Sequence, residues 1–593
     1  MEATRRSPAR LVRAISYRPR SGARVRLWPV STVLPRRSYA TTAAAPPENI
    51  AVIGGGITGL TTAYYLARLL PATSRVTLYE AADEIGGWIH THKEEAPGGG
   101  TVHFEKGPRM LRGLGGSGFR GDDYVFYDMI TDLNLAPKIS PPRKKLFCYN
   151  DQLIHLPPLP TPRSLLRTAW QLARGTHILS GMPAAALRYR RLRMRDLPAS
   201  GAAAHDVSVG DWLRMTFGDL PGPRNVLSGM LHGIYGGHVD RLGLSSVLPA
   251  FWYWMNMRAG AGEELVPRQD YELMKELDPR KRGIEEGVRN WSVAEVMSFP
   301  GGMSTFVYAI RDALGRCPNV TLKTGAPVSG IRYVEELDKV ELSTPSAPAI
   351  SYDKVISTTP SATLSPLVPN IPLPTDAVSI MTISLFYAEE NLTSHNQAFG
   401  YLIPLTTPNP EQVLGVFFDS DTYGLSPSEK RGTKLTVLMG GHFWSGEEGG
   451  ESAPVPDKEE CVRRAKAMLA RHLGLTAAPE VTHVNFARGC IPQHSPSHRA
   501  VLSHAHDALA AEFRGRLAVA GGSYTPVGVM PAMRAGYDAA CQVAGRPRPH
   551  VGDTGLAQFK DGLDVITVPR EELNALGKRL RGPGAVGRWF SGQ

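Results

Sequence analysis

Ile50-Ala51-Val52-Ile53-Gly54-Gly55-Gly56-Ile57-Thr58-Gly59 opens the stretch, Glu48 to Trp88, around which this chain of 593 residues is organised. An apolar run ends in three glycines. From Leu60 to Leu70 the residues favour a helix, Pro71-Ala72-Thr73 breaks it, and Arg75-Val76-Thr77-Leu78-Tyr79 resumes as a strand ending at Glu80. That is one βαβ unit. Gly54, Gly56 and Gly59 hold the spacing of a dinucleotide fingerprint: a tight turn, close backbone approach to the pyrophosphate, and tight packing of helix on strand. Gly55, Ile57 and Thr58 fill the same turn, where the helix start stabilises negative charge through its free amides and dipole. Glu80, at the strand end beside Ala81, is placed to accept from a ribose hydroxyl. Glycine clusters alone are weak evidence, as the loop Gly113-Leu114-Gly115-Gly116-Ser117-Gly118 shows. Strand, fingerprint, helix, strand and acid in that order are specific.

The size allows two or three domains and a large core. The formal charge of +11 is uneven. Residues 1–39 hold ten arginines and one acid, Glu2, and so carry about +9, which leaves about +2 for the rest. A basic body for nucleic acid is therefore excluded as a leading reading. The Arg-rich, acid-poor segment reads as a mitochondrial transit peptide, with a disordered basic tail as the alternative. No run of 18 apolar residues exists, so a spanning helix is not expected. Cys148, Cys317, Cys461, Cys490 and Cys541 lack the spacing of a zinc site or dithiol, so no metal is expected.

Ile85-Gly86-Gly87-Trp88 resembles the second glycine pair that flavoproteins of the amine oxidase type bring against FAD, which implies non-covalent FAD. Further on stand Phe104-Glu105 and Gly107-Pro108-Arg109-Met110-Leu111-Arg112, a cation on a stiff turn. Here the chain resembles the protoporphyrinogen oxidase family, whose members carry an IGGWI run followed by FExGPRxxR. It departs from them at Glu84, where many relatives have a basic residue.

The resemblance covers nearly all of 48–545 and implies an α/β fold: a Rossmann-like FAD-binding domain of the amine oxidase type, a β-rich substrate domain and a helical membrane-binding insertion. The expected FAD-binding parts are 48–139, 298–365 and 491–545. The helical insertion spans 140–260, a charged surface insertion 261–297, the β-rich domain 366–490 and a peripheral tail 546–593. From Gln152 to Arg195 there are eight arginines and no acid. Leu166, Ala169, Trp170 and Ala173 form one helical stripe flanked by Arg163, Arg167 and Arg174, which suits an anionic membrane surface. A solvated face over a packed stripe is the alternative. The aromatic run Phe251-Trp252-Tyr253-Trp254-Met255 is of interfacial kind, though such clusters are more often core.

The resemblance further implies site residues. Val328 is expected at the adenine end of FAD. Gly521, Gly522, Val527, Gly528 and Val529 form a strand, glycine and helix start at the flavin end, and Cys490-Ile491-Pro492-Gln493-His494 just before them matches the family. Lys145 stands where a basic residue meets a propionate, Gly233 lies in the run Gly233-Ile234-Tyr235-Gly236-Gly237 near the macrocycle, and Phe399, Gly400 and Leu402 clamp its faces. The implied reaction is six-electron oxidation of protoporphyrinogen IX, with O2 reoxidising the flavin to give H2O2 and no general base nominated. The inner mitochondrial membrane, a homodimer and ferrochelatase are implied partners. An amine oxidase, a desaturase and a non-catalytic FAD-binding scaffold are the competing readings.

Overall fold

The computed structural model describes residues 49–111, 121–140, 144–156, 177–193, 206–257, 259–260, 262–285, 291, 296–393, 398–422, 426, 428–445, 454–562 and 564–576. The expected transit peptide and the stripe with Arg163, Arg167 and Arg174 lie outside them.

Apolar runs too short for helices make a five-stranded parallel sheet, ordered Val320–Lys323, Arg75–Tyr79, Asn49–Ile53, Lys354–Ser357 and Leu517–Val519. Parallel strands need cover on both faces. Ile50, Val52, Val76, Leu78 and Ile356 face a core shared with the helices Ile57–Leu69, Ser304–Gly315 and Val529–Val543. Ala51, Ile53, Tyr79, Val355 and Val519 face the opposite core. It is closed by the helix His498–Phe513 and a meander of Gly330–Val334, Lys339–Thr344 and Ala347–Tyr352. The sheet therefore collects strands from near both ends of the described chain.

A second sheet of seven strands runs in the order Val481–Pro492, Ala377–Tyr387, Thr433–Gly440, Val413–Phe418, Ala398–Leu402, Lys144–Tyr149 and Gln152–Leu156. Its pairs are antiparallel except Ala398–Leu402 with Lys144–Tyr149. One face buries Met381, Ile383, Leu385 and Val437 with Cys461, Ala465, Met468 and Leu469 of the helix Lys458–Leu473. Against the other lies the helix Pro221–Tyr235, where Gly229 meets Phe147 and Gly233 meets Leu402.

Three expected boundaries are corrected. The hairpin Lys144–Leu156, placed in the helical insertion, is part of this sheet, because its alternating residues have apolar partners on both faces. Among the described residues the helices Met182–Arg193, Val209–Phe217, Pro221–Tyr235 and Pro249–Asn256 pack around buried Trp212. The segment 261–297 is no mere surface insertion: Val266, Leu273, Met274, Leu277 and Ile284 are buried in the first core. Nor is the tail peripheral, since Val565–Pro569 pairs with Glu263–Pro267, and Val568 and Leu573 are buried. In both segments charged residues alternate with apolar ones on a helical or strand period, and the apolar face is inward. Among the described residues no helix is long and apolar enough to cross a membrane.

The fingerprint helix Ile57–Leu69 and the closing helix Val529–Val543 touch through Gly536. A Cβ there would stand 2.5 Å from the Thr58 carbonyl oxygen and 3.1 Å from Thr61 Cβ. Gly536→Ala should therefore separate the two helices at a cost of about 1–3 kcal/mol, read as a lowered Tm and weaker FAD retention.

Candidate cofactor and substrate site

The first glycine turn is fixed by backbone. Gly54 N donates to Tyr79 O (2.7 Å), and Thr358 Oγ1 donates to the carbonyls of Ile53 and Gly54 (2.9 and 3.0 Å). A Cβ on Gly59 would collide with the Gly54 carbonyl oxygen, so the third fingerprint glycine is demanded by helix-to-turn contact. The helix that follows is capped by Gly56 with no side-chain bond and no acid in its first turn. Its leading amides are thus left for an external acceptor, and its dipole favours an anion.

Glu80 turns back over this loop. Its Oε2 accepts from Gly55 N (2.6 Å) and its Oε1 from Ala82 N (2.9 Å). A carboxylate has more acceptor positions than these two donors fill, so it can also accept from a ribose hydroxyl. The loop carrying Val328 crosses this strand end, held by Ala326 N to Glu80 O (2.9 Å) and Gly325 N to Ala82 O (2.8 Å). The second glycine pair lies against the first turn: Gly86 N donates to Gly55 O (2.8 Å), and a Cβ on Gly87 would come within 3.1 Å of Gly56 Cα. Trp88 beside it is 45% exposed, an apolar ring on an open groove. Glu84, the departure from the family, lies 3.7 Å from His90 and faces solvent.

The other end of the groove comes from a segment more than 450 residues later in the chain. Ala520 N donates to Ser357 O (2.9 Å), which brings Gly521 to within 3.4 Å of Thr58 Oγ1, measured from an added Cβ. Gly528 then caps a second helix start that also has no side-chain cap and no acid in its first turn. His494 Nε2 donates to the Gly522 carbonyl (3.3 Å), and burial lowers that imidazole to about 4. Two uncapped, acid-free helix starts and an acceptor at the strand end suit a long diphosphate cofactor.

Arg109 is placed differently from a free cation. Its guanidinium is buried, donates to both carboxylate oxygens of Asp419 (3.2 Å each) and stands 4.8 Å from the Phe417 ring. It thereby ties the Gly107-Pro108-Arg109 turn to the seven-stranded sheet, while Gly107 packs on the Trp88 carbonyl and Met110 is half-buried. Asp419 was not foreseen, because nothing local marks it. Beside this pair a cavity of about 220 Å³ is lined by Glu105, Arg109, His103, Glu429 and Lys434. Glu105 accepts from Met303 N (2.9 Å) and Thr91 Oγ1, yet burial pushes its carboxyl up to about 7.

The expected macrocycle residues gather on the sheet. Residues 399 and 402 would face opposite sides of a regular strand. Gly400 (φ +138°) breaks the alternation, with a register shift between Ala398 and Tyr401, so Ala398 and Tyr401 are buried while Phe399 and Leu402 are both half-buried. Phe399 meets Phe417 edge-on (5.4 Å), on whose ring Arg109 also rests, and Leu402 lies under Gly233. The backbone of Lys145 is on the neighbouring strand, opposite Leu156. Val527 packs against the helical cluster of Leu231 and Tyr235, next to Gly233. The cofactor segment and the substrate segment are therefore in contact.

Sequence reading missed a histidine pair beside Gly233 and Ile403. His232 Nδ1 donates to Ile403 O (2.7 Å), so its Nε2 accepts from His442 Nε2 (3.0 Å). Burial holds the two at about 4 and about 2, so both are neutral.

A profile of flavin containing amine oxidoreductases matches residues 57–544. The chain belongs to that family. FAD is accordingly its cofactor, and the groove fits it. The protoporphyrinogen oxidase of Schizosaccharomyces pombe is 28% identical over 517 residues, covering 84% of this chain and 98% of that protein. The Homo sapiens protoporphyrinogen oxidase is 28% identical over 521 residues, with the same coverage. A crystal structure of a protein from Exiguobacterium sp. 255-15 superposes with a TM-score of 0.61 at 18% identity, covering 84% of this chain and 98% of that one, which shows the shared fold.

Glu105 makes stability depend on pH. The folded state keeps its proton up to about pH 7, whereas an unfolded glutamate releases it near 4.5. Its contribution is full below the lower value and is lost as pH rises to the higher, a difference of about 3 kcal/mol. Relative to Glu105→Gln, the wild-type chain should thus lose stability in chemical denaturation between pH 5 and pH 8. Equal loss in both would disprove a buried protonated carboxyl.

Proposed function

We propose that the chain oxidises protoporphyrinogen IX to protoporphyrin IX in heme biosynthesis, with molecular oxygen as the final acceptor and hydrogen peroxide as the second product. The observation that carries this reading is the join of cofactor groove and substrate sheet: Phe399 and Leu402, turned to one side by the bulge at Gly400, lie on the strand next to that of Lys145, with Leu402 against Gly233. A porphyrinogen is broad and apolar apart from its propionates, so it needs apolar faces, backbone close to its plane and a cation at its rim. The full-length likeness to named protoporphyrinogen oxidases supports the same substrate.

Bound FAD supplies a two-electron acceptor, so six electrons need three rounds. The chain's own residues bind and orient. Gly54 to Gly59 with the fingerprint helix hold the diphosphate, Glu80 and Ala81 the ribose, and Val328 the adenine end. Gly86, Gly87 and Trp88, with Gly107 to Met110, form the wall behind the cofactor. Gly521, Gly522 and Val527 to Val529 place amides at the flavin end, where they stabilise negative charge. Phe399 and Leu402 position the macrocycle and exclude water, and Lys145 steadies a propionate as a point charge, more loosely than a bidentate arginine. His232 and His442 are themselves neutral.

For location, we propose the inner mitochondrial membrane, reached by a transit peptide over 1–39 and held peripherally by the basic segment that follows the hairpin Lys144–Leu156, with Arg163, Arg167 and Arg174. The ten arginines against one acid in the first segment, and the eight arginines without an acid from Gln152 to Arg195, support this.

The FAD-loaded protein given colourless protoporphyrinogen IX should develop porphyrin fluorescence with three equivalents of peroxide. Flavin reduction by amines but not by the porphyrinogen would instead favour an amine oxidase. Phe399→Ala, removing roughly 1.5–3 kcal/mol of apolar contact, should lower kcat/KM about 10- to 100-fold. Lys145→Ala should raise KM, and an unchanged KM would remove its role. Neutralising Arg163, Arg167 and Arg174 together should release the protein from anionic vesicles.

A further inference from the structure

The hairpin of Thr91–Glu95 and Thr101–Glu105 leans on the outermost strand of the seven-stranded sheet, Val481–Pro492. His92 and Glu94 are two apart on one strand and so share a face. His483 on the sheet strand faces them. His92 Nε2 lies 3.6 Å and His483 Nδ1 3.8 Å from Glu94 Oε2, and one ligand atom from each of the three residues falls within 4.8 Å of the others. Both separations are too long for hydrogen bonds. Donors each about 2.0–2.2 Å from a tetrahedral zinc stand about 3.3–3.6 Å apart, so both separations are close to those of two ligands of one ion.

We propose that His92, Glu94 and His483 bind one zinc-class divalent cation, which clasps the hairpin of the cofactor side to the edge of the substrate sheet. Two imidazoles and one carboxylate suit zinc or a neighbouring transition ion rather than calcium or magnesium, which take oxygen ligands, and a water completes four-coordination. His483 is held by packing, with Nδ1 toward Glu94. Its ring is stacked between Phe104 (5.8 Å, 7°) and His92 (4.1 Å, 21°), and its buried Nε2 has no hydrogen-bond partner among the described residues. Ion binding requires His92 to turn out of this stack, so that the lone pairs of the two rings, which lie in the ring planes, converge on the ion.

The ion has a way in, because His92 also borders an open cavity of about 400 Å³ with Glu84, His90, Lys93 and Tyr308. Lys106 and Lys458 stand near enough to His483 for their charges to act on it. The same lysines oppose a second positive charge and temper the affinity. Glu94 is the carboxylate that offsets them within the cluster.

Untagged, FAD-loaded full-length protein, stripped with EDTA and dialysed, should take up one Zn2+ per chain in equilibrium dialysis, and its Tm should rise. His92→Ala and His483→Ala should each weaken that uptake at least about tenfold and abolish the Tm rise, with flavin absorbance unchanged as the control for folding. Glu94→Gln, a conservative change on a half-exposed residue, should weaken uptake as well. Absence of stoichiometric Zn2+, or uptake and Tm rise that survive both histidine substitutions, overturns the site.

Discussion

Backbone meeting backbone is the constraint on which this structure depends. The Gly59 Cα sits against the Gly54 carbonyl, Gly87 against Gly56, and Gly536 against the Thr58 carbonyl. None of these contacts admits a methyl group without movement. They bring two helix starts to one place, and the field of those starts, rather than any charged side chain, is what prepares the groove for phosphates at one end and for electron-rich chemistry at the other.

The charged groups do different work. Arg109 with Asp419, and Lys434 with Glu429 at 2.6 Å, are buried between the parallel sheet's accessory hairpin and the seven-stranded sheet. Buried pairs of this kind add little net stability against apolar substitutes, but loss of one partner is costly. They fix how the hairpin Thr91–Glu105 meets the seven-stranded sheet, while the buried imidazoles of His232 and His442 stay neutral.

Local patterns made the nucleotide unit legible. Gly54 to Gly59 and Glu80 are consecutive along a βαβ unit, and the structure has them in one turn. The glycines 521 and 528 were readable for the same reason, as a strand, a glycine and a helix. The hairpin Lys144–Leu156 was misplaced because its sheet partners, Ala398–Leu402, lie some 250 residues away and no period in the sequence reports register. Asp419, and the His232–His442 pair, could not be found at all, since each gains meaning only across a tertiary contact. Val266 and Leu273 were hidden among charges; their spacing was visible, but the strand Val565–Pro569 that covers them was not.

The parallel sheet sets a schedule for the living chain. Leu517–Val519, the edge strand beside Lys354–Ser357, and the closing helix are translated long after the fingerprint. A nascent polypeptide therefore cannot grip its prosthetic group until synthesis is nearly finished. The groove is completed only when that last helix start has been made and packed.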